Sequence, residues 1–292
     1  MPSGILLLDK PRGLSSNAAL QRVRRLWGGV KAGHVGSLDP LATGMLPICL
    51  GEATKVAGDI LPGRKRYRFT VTLGVRTATG DAEGAVVATA AVPELTRPDV
   101  EALLGRFLGE SLQTPPMFSA LKRGGAPLYR LARAGVTVER AARAVQIFEL
   151  SLTRLDAASL ELEACCSKGT YIRVLGEDLA ARLGTCGHVT QLRRLSVEPF
   201  AREAMHTLES LELAARGGPL PLLLPVDWPL KNLPAVHLSA DDAARVRHGQ
   251  AVSGPAAHVG RVRLYDAAGM FFGIGAVDPS GSVRPRRLLS LP

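Results

Sequence analysis

The sequence predicts an α+β protein: a mixed, largely antiparallel sheet with flanking helices, followed by a small β-rich module at the C-terminal end. Three observations carry that prediction. Runs of two-residue hydrophobic period lie side by side with no helix between them, as at 145–152 and 159–166 around the turn at Asp156-Ala157, which is the pattern of an antiparallel pair. Capped runs of helical period separate the other strands. Neither a G-x-G-x-x-G opening a helix nor a G-x-x-x-x-G-K-[ST] occurs, so the parallel doubly wound fold and its dinucleotide or triphosphate chemistry lack support.

The elements follow in order. Residues 4–8 are continuously apolar, the mark of a buried strand. Ser15 or Ser16 caps the next helix, which carries Leu20, Val23, Leu26 and Trp27 on one face and ends at Gly28-Gly29. Residues 33–51 hold four glycines and two prolines and read as a rigid loop. Tyr67, Phe69, Val71 and Leu73 alternate with Arg68, Thr70 and Thr72, a half-buried strand. Gly80-Asp81 and Glu83-Gly84 mark turns before a strand at 85–90, and Thr96 with Pro98 starts a helix bearing Leu103, Leu104 and Phe107. Residues 113–135 combine two prolines, basic residues around Gly124-Gly125 and a short helical pattern; a long ordered excursion of this kind is often functional. Thr170 is the expected cap of a helix with Ile172, Leu175, Leu179 and Leu183, and strand character returns at 188–197. Five prolines between 217 and 234 predict an extended linker packed on the surface. Beyond it, a helix at 239–248 and β-like pieces at 260–264 and 270–277 suit a small all-β appendage. The expected division is therefore 1–232 and 233–292.

Composition narrows the function. A chain of 292 residues can bury a sizeable core without disulfides or metal. Lys and Arg number 36 against 26 Asp and Glu, a net charge of +10, which fits either a polyanionic partner such as nucleic acid or a solvated arginine surface. No apolar stretch reaches the ~18 residues of a membrane span, and no basic region precedes the N-terminal apolar run, so no signal peptide is expected. Cys49, Cys165, Cys166 and Cys186 form no C-x-x-C pair, which argues against a zinc cluster and for a reduced, cytoplasmic protein. Aromatic residues are only 4%; a sheet-surface reader of RNA needs more of them, so each tyrosine counts singly.

One carboxylate stands out. Asp39 lies in the glycine- and proline-framed segment, close to His34, and the following Pro40 keeps it out of helical geometry. A rigid loop presenting a carboxylate suits a nucleophile or base; Asp-Pro is equally an ordinary turn opener. In a pocket that excludes water such a carboxylate stays ionised only beside a cation. Arg173, in the stretch K-G-T-Y-I-R, could be that cation, or could bind a phosphate or face solvent. Arg64-Lys65-Arg66-Tyr67-Arg68 is the strongest basic run. Tyr67 within it reads either as a core tyrosine or as a ring stacked on a base between phosphate-binding cations. His34 could contact a base, act as a wedge or shuttle a proton. No His/Cys cluster has metal spacing and no G-x-S-x-G elbow occurs.

The segment GHVGSLDPLATGMLPICLGEATK resembles the signature of the TruB family of tRNA pseudouridine synthases. The resemblance continues through LDKPRGLSS, KRYRFTVTLG, QTPPMFSALK, PLYRLARAG, CSKGTYIRVLGEDLAARLG and HVTQLRRLSV, covering nearly all of residues 4–200 in the family's order. It implies the pseudouridine synthase fold and the isomerisation of a uridine in the tRNA T loop, by C1′–N1 cleavage, base rotation and C1′–C5 bond formation, with no cofactor and no metal. It implies that Asp39 is the catalytic aspartate, that Tyr67 stacks on the target uracil, that Arg173 pairs with the aspartate, and that His34 fills the gap left by the flipped nucleotide. Leu192 and Tyr171 are implied as substrate-binding residues, and Lys10 and Pro11 as a mainly structural motif. Arg64, Lys65, Arg66, Lys122 and Arg193 are the candidates for RNA-backbone contacts. The 113–135 excursion matches a thumb-like insertion that closes on RNA, and 233–292 a PUA-like RNA-binding module. The partner implied is tRNA, through its T arm and T loop, for a monomer that needs no protein partner and no membrane. Val35, Ala78, Gly80 and Phe118 depart from the family's usual residues at positions outside the implied catalytic set. Three rivals are set against this one: an RNA-binding protein without catalysis; a guide-RNA-directed relative, which an N-terminal extension would favour; and a glycosidase, for which a second carboxylate near Asp39 is missing from the sequence apart from Glu52.

Overall fold

The apolar run at residues 4–8 is continuous because its strand is buried on both faces. In the computed structural model, which describes residues 2–200, 203–218, 220–254 and 258–290, β1 (Gly4–Lys10) sends Leu6 and Leu8 into one core and Ile5 and Leu7 into another. The Ser15 hydroxyl accepts from the Ala18 amide at 3.1 Å and so starts α1 (Ser16–Leu26), which turns Leu20 and Val23 onto the sheet.

β2 (Ala32–His34) and β3 (Thr43–Leu50) both lie inside the segment expected to be a loop; the loop proper is only residues 35–42. Gly44 and Pro47 read as breakers, yet Leu46, Ile48, Cys49 and Leu50 are completely buried and Met45 nearly so. Burying each large apolar side chain stabilises by about 1.5–3 kcal/mol, which outweighs one missing ladder hydrogen bond at about 0.5–1.5 kcal/mol. Gly44 has a specific reason: at φ +97°, a Cβ there would run into the backbone of Arg194.

The remaining strands of the main sheet are β4 (Lys65–Leu73), β5 (Gly109–Gln113), β6 (Arg143–Asp156), β7 (Ser159–Cys166), β8 (Gly187–Val197) and β9 (His206–Thr207). Their order is β9-β1-β3-β8-β4-β7-β6-β5, with β2 added on β3. The β8–β3 and β9–β1 pairs are parallel and the others antiparallel, so the sheet is mixed and largely antiparallel, as expected. Besides α1, one face carries α2 (Arg97–Gly105), α4 (Ile172–Arg182) and α5 (Leu208–Gly217) in a single core with Phe69, Val71, Leu160 and Leu162. The short α3 (Leu128–Arg133) follows a hairpin of Lys122–Arg123 with Ala126–Pro127, whose turn uses Gly124 and Gly125 at φ +57° and +82°.

Several expectations need correction. Thr170 does not cap α4. Its hydroxyl donates to the Ser167 carbonyl at 3.0 Å, and the helix start is held by Gln113, whose side chain accepts from the Tyr171 amide at 2.7 Å. The strand expected at 85–90 is shorter, Val86–Thr89, paired with Val75–Thr77. The proline-rich linker is not merely laid on the surface: Leu224 exchanges two 2.9 Å backbone hydrogen bonds with Ile5, and Val226 and Leu230 are buried. Of its five prolines, Pro219 lies outside the described residues.

The C-terminal sheet contains β10 (Ala235–His237), β11 (Val252–Ser253), β12 (Gly260–Tyr265), β13 (Phe271–Val277) and β14 (Ser282–Leu288), ordered β10-β12-β13-β14-β11, with α6 (Ala240–Arg247) beside it. It has its own core around Val246, Val262, Leu264 and Phe272. Phe271, Ile274 and Leu289 instead join Ile5, Leu7, Met45 and Phe200, so the module packs against the second face of the sheet at β1 and β3.

Candidate active site

The loop between β2 and β3 is short and fixed at several points. The Ala42 amide donates to the Asp39 carbonyl at 3.1 Å, closing a turn with Pro40 second, the position its fixed φ prefers. The buried Ser16 hydroxyl both donates to the Leu38 carbonyl (2.9 Å) and accepts from the Leu38 amide (2.7 Å). Lys10, fully buried, donates to the carbonyls of Pro11 (2.8 Å), Leu14 (2.7 Å) and Pro40 (3.4 Å). Burial brings its ammonium pKa down to about 8, opposed by the charge of Asp39.

Asp39 meets Arg173, which projects from the first turn of α4. The Arg173 Nε lies 2.9 Å from Asp39 Oδ2 and 3.6 Å from Asp81 Oδ2. Its Nη1 and Nη2 donate, both at 2.7 Å, to the carbonyls of Thr79 and Phe118. The guanidinium is therefore fixed by two separate loops, and its remaining edge is offered to the carboxylates. Asp81 is itself held: its Oδ1 accepts from the Thr79 hydroxyl at 2.5 Å and from the Glu83 amide at 3.1 Å. The Asp39 side chain keeps 38% of its exposure, against 6% for Asp81, so Asp39 is the carboxylate that faces the cavity. Enclosure pushes the Asp39 carboxyl above its ordinary value; Arg173 opposes that rise and Asp81 adds to it.

Asp39 lines a cavity of about 360 Å³ together with Tyr67, Tyr171, Arg173, Leu192 and Arg194. That volume lies at the lower end of the range for small-molecule sites, about 300–1,000 Å³. The alternation of β4 turns Tyr67 inward, where it is 8% exposed, and that of β8 turns Leu192 and Arg194 to the same side. Burial raises the Tyr67 hydroxyl pKa, and the nearby positive charge of Arg194 works against the rise. Ser119, Ala120 and Leu121, from the start of the 113–135 excursion, form another wall.

The sequence-predicted residues divide into groups. Asp39, Tyr67, Arg173, Leu192 and Tyr171 converge on the cavity. His34 does not line it. It ends β2, pairs with Ile48, and its Nδ1 is buried without a partner; burial, with Arg194 second, lowers its pKa and favours the neutral ring. Pro11 contributes its carbonyl to Lys10. Lys65 requires correction. It is 4% exposed, and its ammonium donates to the Leu61 and Gly63 carbonyls at 2.5 Å each, so it cannot serve as a surface contact to an RNA backbone. Burial takes its pKa down to about 8, with Arg194 adding to the fall. Arg64 is exposed over the Phe148 ring at 4.0 Å, Arg66 pairs with Glu149 at 2.7 Å, Arg193 grips Asp9 with two bonds at 2.9 and 2.7 Å, and Lys122 is exposed. The sequence reading missed Asp81, Ser16 and Gln113. It also found no second carboxylate near Asp39 except Glu52. Asp81 is that carboxylate, while Glu52 binds Lys55 and the Ser290 amide elsewhere.

Models of three families match the chain: TruB family pseudouridylate synthase (N terminal domain) over 24–172, tRNA pseudouridylate synthase B C-terminal domain over 173–231, and Pseudouridine synthase II TruB, C-terminal, over 234–289. The tRNA pseudouridine synthase B of Sodalis glossinidius is 51% identical over 298 residues, spanning 99% of this chain and 96% of the relative. That of Stutzerimonas stutzeri is 52% identical over 292 residues, spanning 98% and 95%. Among solved structures, a chain of a Cbf5-Nop10-Gar1 complex superposes with a TM-score of 0.72 at 22% identity, over 98% of this chain and 84% of that one. At that identity the likeness speaks for the fold alone.

Proposed function

This chain belongs to the TruB family of pseudouridine synthases, and on that premise we propose that it acts on a uridine of the tRNA T loop with Asp39 as the group that starts the reaction. It has the pseudouridine synthase fold and isomerises uridine to pseudouridine in tRNA. The bond from ribose C1′ to uracil N1 breaks, the base turns, and C1′ joins C5. A base inside a folded loop is shielded, so the nucleotide must leave the stack, at a cost of a few kcal/mol. Stacking on Tyr67 returns about 1–3 kcal/mol, Leu192 and Tyr171 close the sides of the cavity, and His34 occupies the vacated space. Asp39 attacks C1′ or removes the C2′ proton; both routes use the ionised carboxylate that Arg173 secures.

The observation that carries this reading is the 2.9 Å Asp39–Arg173 pair at the wall of a cavity that also holds Tyr67. RNA binding alone gives no reason to turn a half-exposed carboxylate toward a polyanion. The glycosidase reading loses ground because Asp81, the second carboxylate, is buried and spoken for by Arg173, Thr79 and Glu83. Arg64 and Lys122 reach backbone phosphates, and Arg66 and Arg193 do so by exchanging a carboxylate partner for a phosphate. Residues 113–135 close over the RNA, and 233–292 act as a PUA-like module that adds contact area. The protein works as a monomer in the cytoplasm; no helix among the described residues is long and apolar enough to cross a membrane.

The test is incubation with unmodified tRNA and mapping of pseudouridine by position. Product in the T loop is expected. Asp39→Asn preserves shape and removes charge, so it should abolish product while tRNA binding persists. Turnover by a clean Asp39→Asn preparation, or product only outside the T loop, overturns the reading.

A further inference from the structure

Arg194 is a buried charged group at the cavity that the reaction above leaves without a role. Its side chain is 1% exposed, and its hydrogen-bond partners among the described residues are neutral: the Met45 carbonyl at 2.7 Å and the Gly36 carbonyl at 2.8 Å. Other cations, Lys10 and Lys65, feel its charge as a repulsion. An interior cation without a counterion destabilises a fold, and an apolar side chain of similar volume fills the same space at no such cost. Packing therefore does not explain an arginine at this position.

Its reach does. The backbone of Arg194 pairs with Tyr67 on one side and with Gly44 on the other. Its side chain then bridges Gly36, three residues before Asp39, and Met45, six residues after it. One planar guanidinium thus ties both ends of the Asp39 loop together, from a strand whose backbone pairs with that of Tyr67, which lines the same cavity. Gly36 adopts φ +71°, and a Cβ there would lie 3.2 Å from Arg194 Nη1, so the glycine leaves room for this contact.

We propose that Arg194 is a positioning residue: it fixes both ends of the Asp39 loop from a strand paired with that of Tyr67, so that the flipped uracil is held in register between ring and carboxylate. The inference rests on the pseudouridine-forming reading of the cavity. It predicts that Arg194 acts on the rate of the chemical step and not on tRNA affinity, because its side chain, at the inner wall of the cavity, is only 1% exposed and does not reach the outer surface.

Arg194→Lys retains the charge, but an ammonium cannot span both carbonyls as the guanidinium does. Wild type must first form pseudouridine in tRNA; its failure removes the functional reading and leaves nothing for Arg194 to position. Given that activity, Arg194→Lys should keep tRNA affinity and the urea midpoint near wild type. Its single-turnover rate should fall about 100-fold, the scale of losing one preorganised donor. Should Arg194→Lys fail to fold, Arg194→Met is the substitute, with the same expected split between rate and affinity. The proposal is overturned by a rate within about threefold of wild type, or by rate, affinity and stability falling together.

Discussion

Asp39 sits between opposing influences. The cavity wall and Asp81 favour its protonated form, while Arg173 at 2.9 Å favours the carboxylate. Removing the cation must shift the balance toward the neutral acid, because only the charged form gains from it. The acid limb of the wild-type pH–rate profile should therefore lie above the ordinary carboxylate value of 3.8. In Arg173→Gln it should move up by a further ~1–3 units, so activity is lost first on the acid side. A single-turnover profile measures this, and an unmoved limb would show that Arg173 does not govern Asp39 ionisation. At this scale the sequence was informative where side-chain chemistry and backbone constraint coincide: Asp39 before Pro40, Tyr67 on an alternating strand, Arg173 at a helix start. Asp81 was visible only as a turn residue, since nothing local says that a turn 42 positions away folds against the same guanidinium. Arg194 was not singled out in the sequence, although it shares a strand face with Leu192. That two-residue spacing is the signal that could have found it.

Among the elements, the seam between β3 and β8 decides whether the site exists. These strands meet in parallel at only two positions, Thr43 with Arg193 and Gly44 with Arg194. Gly44 permits the close approach, at a backbone conformation that L side chains rarely adopt. Gly44→Ala combines that conformational strain with a collision against the Arg194 backbone, and should lower stability by about 2–5 kcal/mol in urea melts. Gly58→Ala is the control: its Cβ meets nothing within 4 Å and its φ is not positive, so it should be neutral or stabilise by up to about 1 kcal/mol. Equal losses at both sites would mean that the seam is not strained by a Cβ. The same seam explains why β3 was hidden in the sequence. Its glycine and proline are local breakers, and the burial that outweighs them comes from β1, β2 and the C-terminal module, all distant along the chain.

For the whole molecule, the net charge of +10 is distributed unevenly. Lys10, Lys65, Arg173 and Arg194 are interior and hold backbone carbonyls or carboxylates, so they are not part of the RNA-facing surface. Arg22, Arg68, Arg97 and Arg247 are occupied by surface carboxylates, pairs worth about 1 kcal/mol or less. Lys122 and Lys168 are exposed with no ion pair among the described residues, and Lys168 borders the Asp39 cavity. Replacing each by Ala should reduce the slope of log affinity against log salt by about 0.7–0.9, with little change in the rate of a saturated single turnover. Filter binding from low to high salt measures the slope; an unchanged slope removes these two lysines from the phosphate contacts.

The sequence by itself determined the fold class, most strands and helices and the family, and brought Asp39, Tyr67 and Arg173 forward as candidates, because each is written in local period, capping or motif. Only the tertiary structure decided which cations are interior, which second carboxylate shares Arg173, and that a glycine- and proline-bearing segment is a central strand. Those outcomes depend on long-range neighbours. Burial and pairing are properties of residues brought together by folding, and one residue's chemistry does not reveal them until its partners are in place.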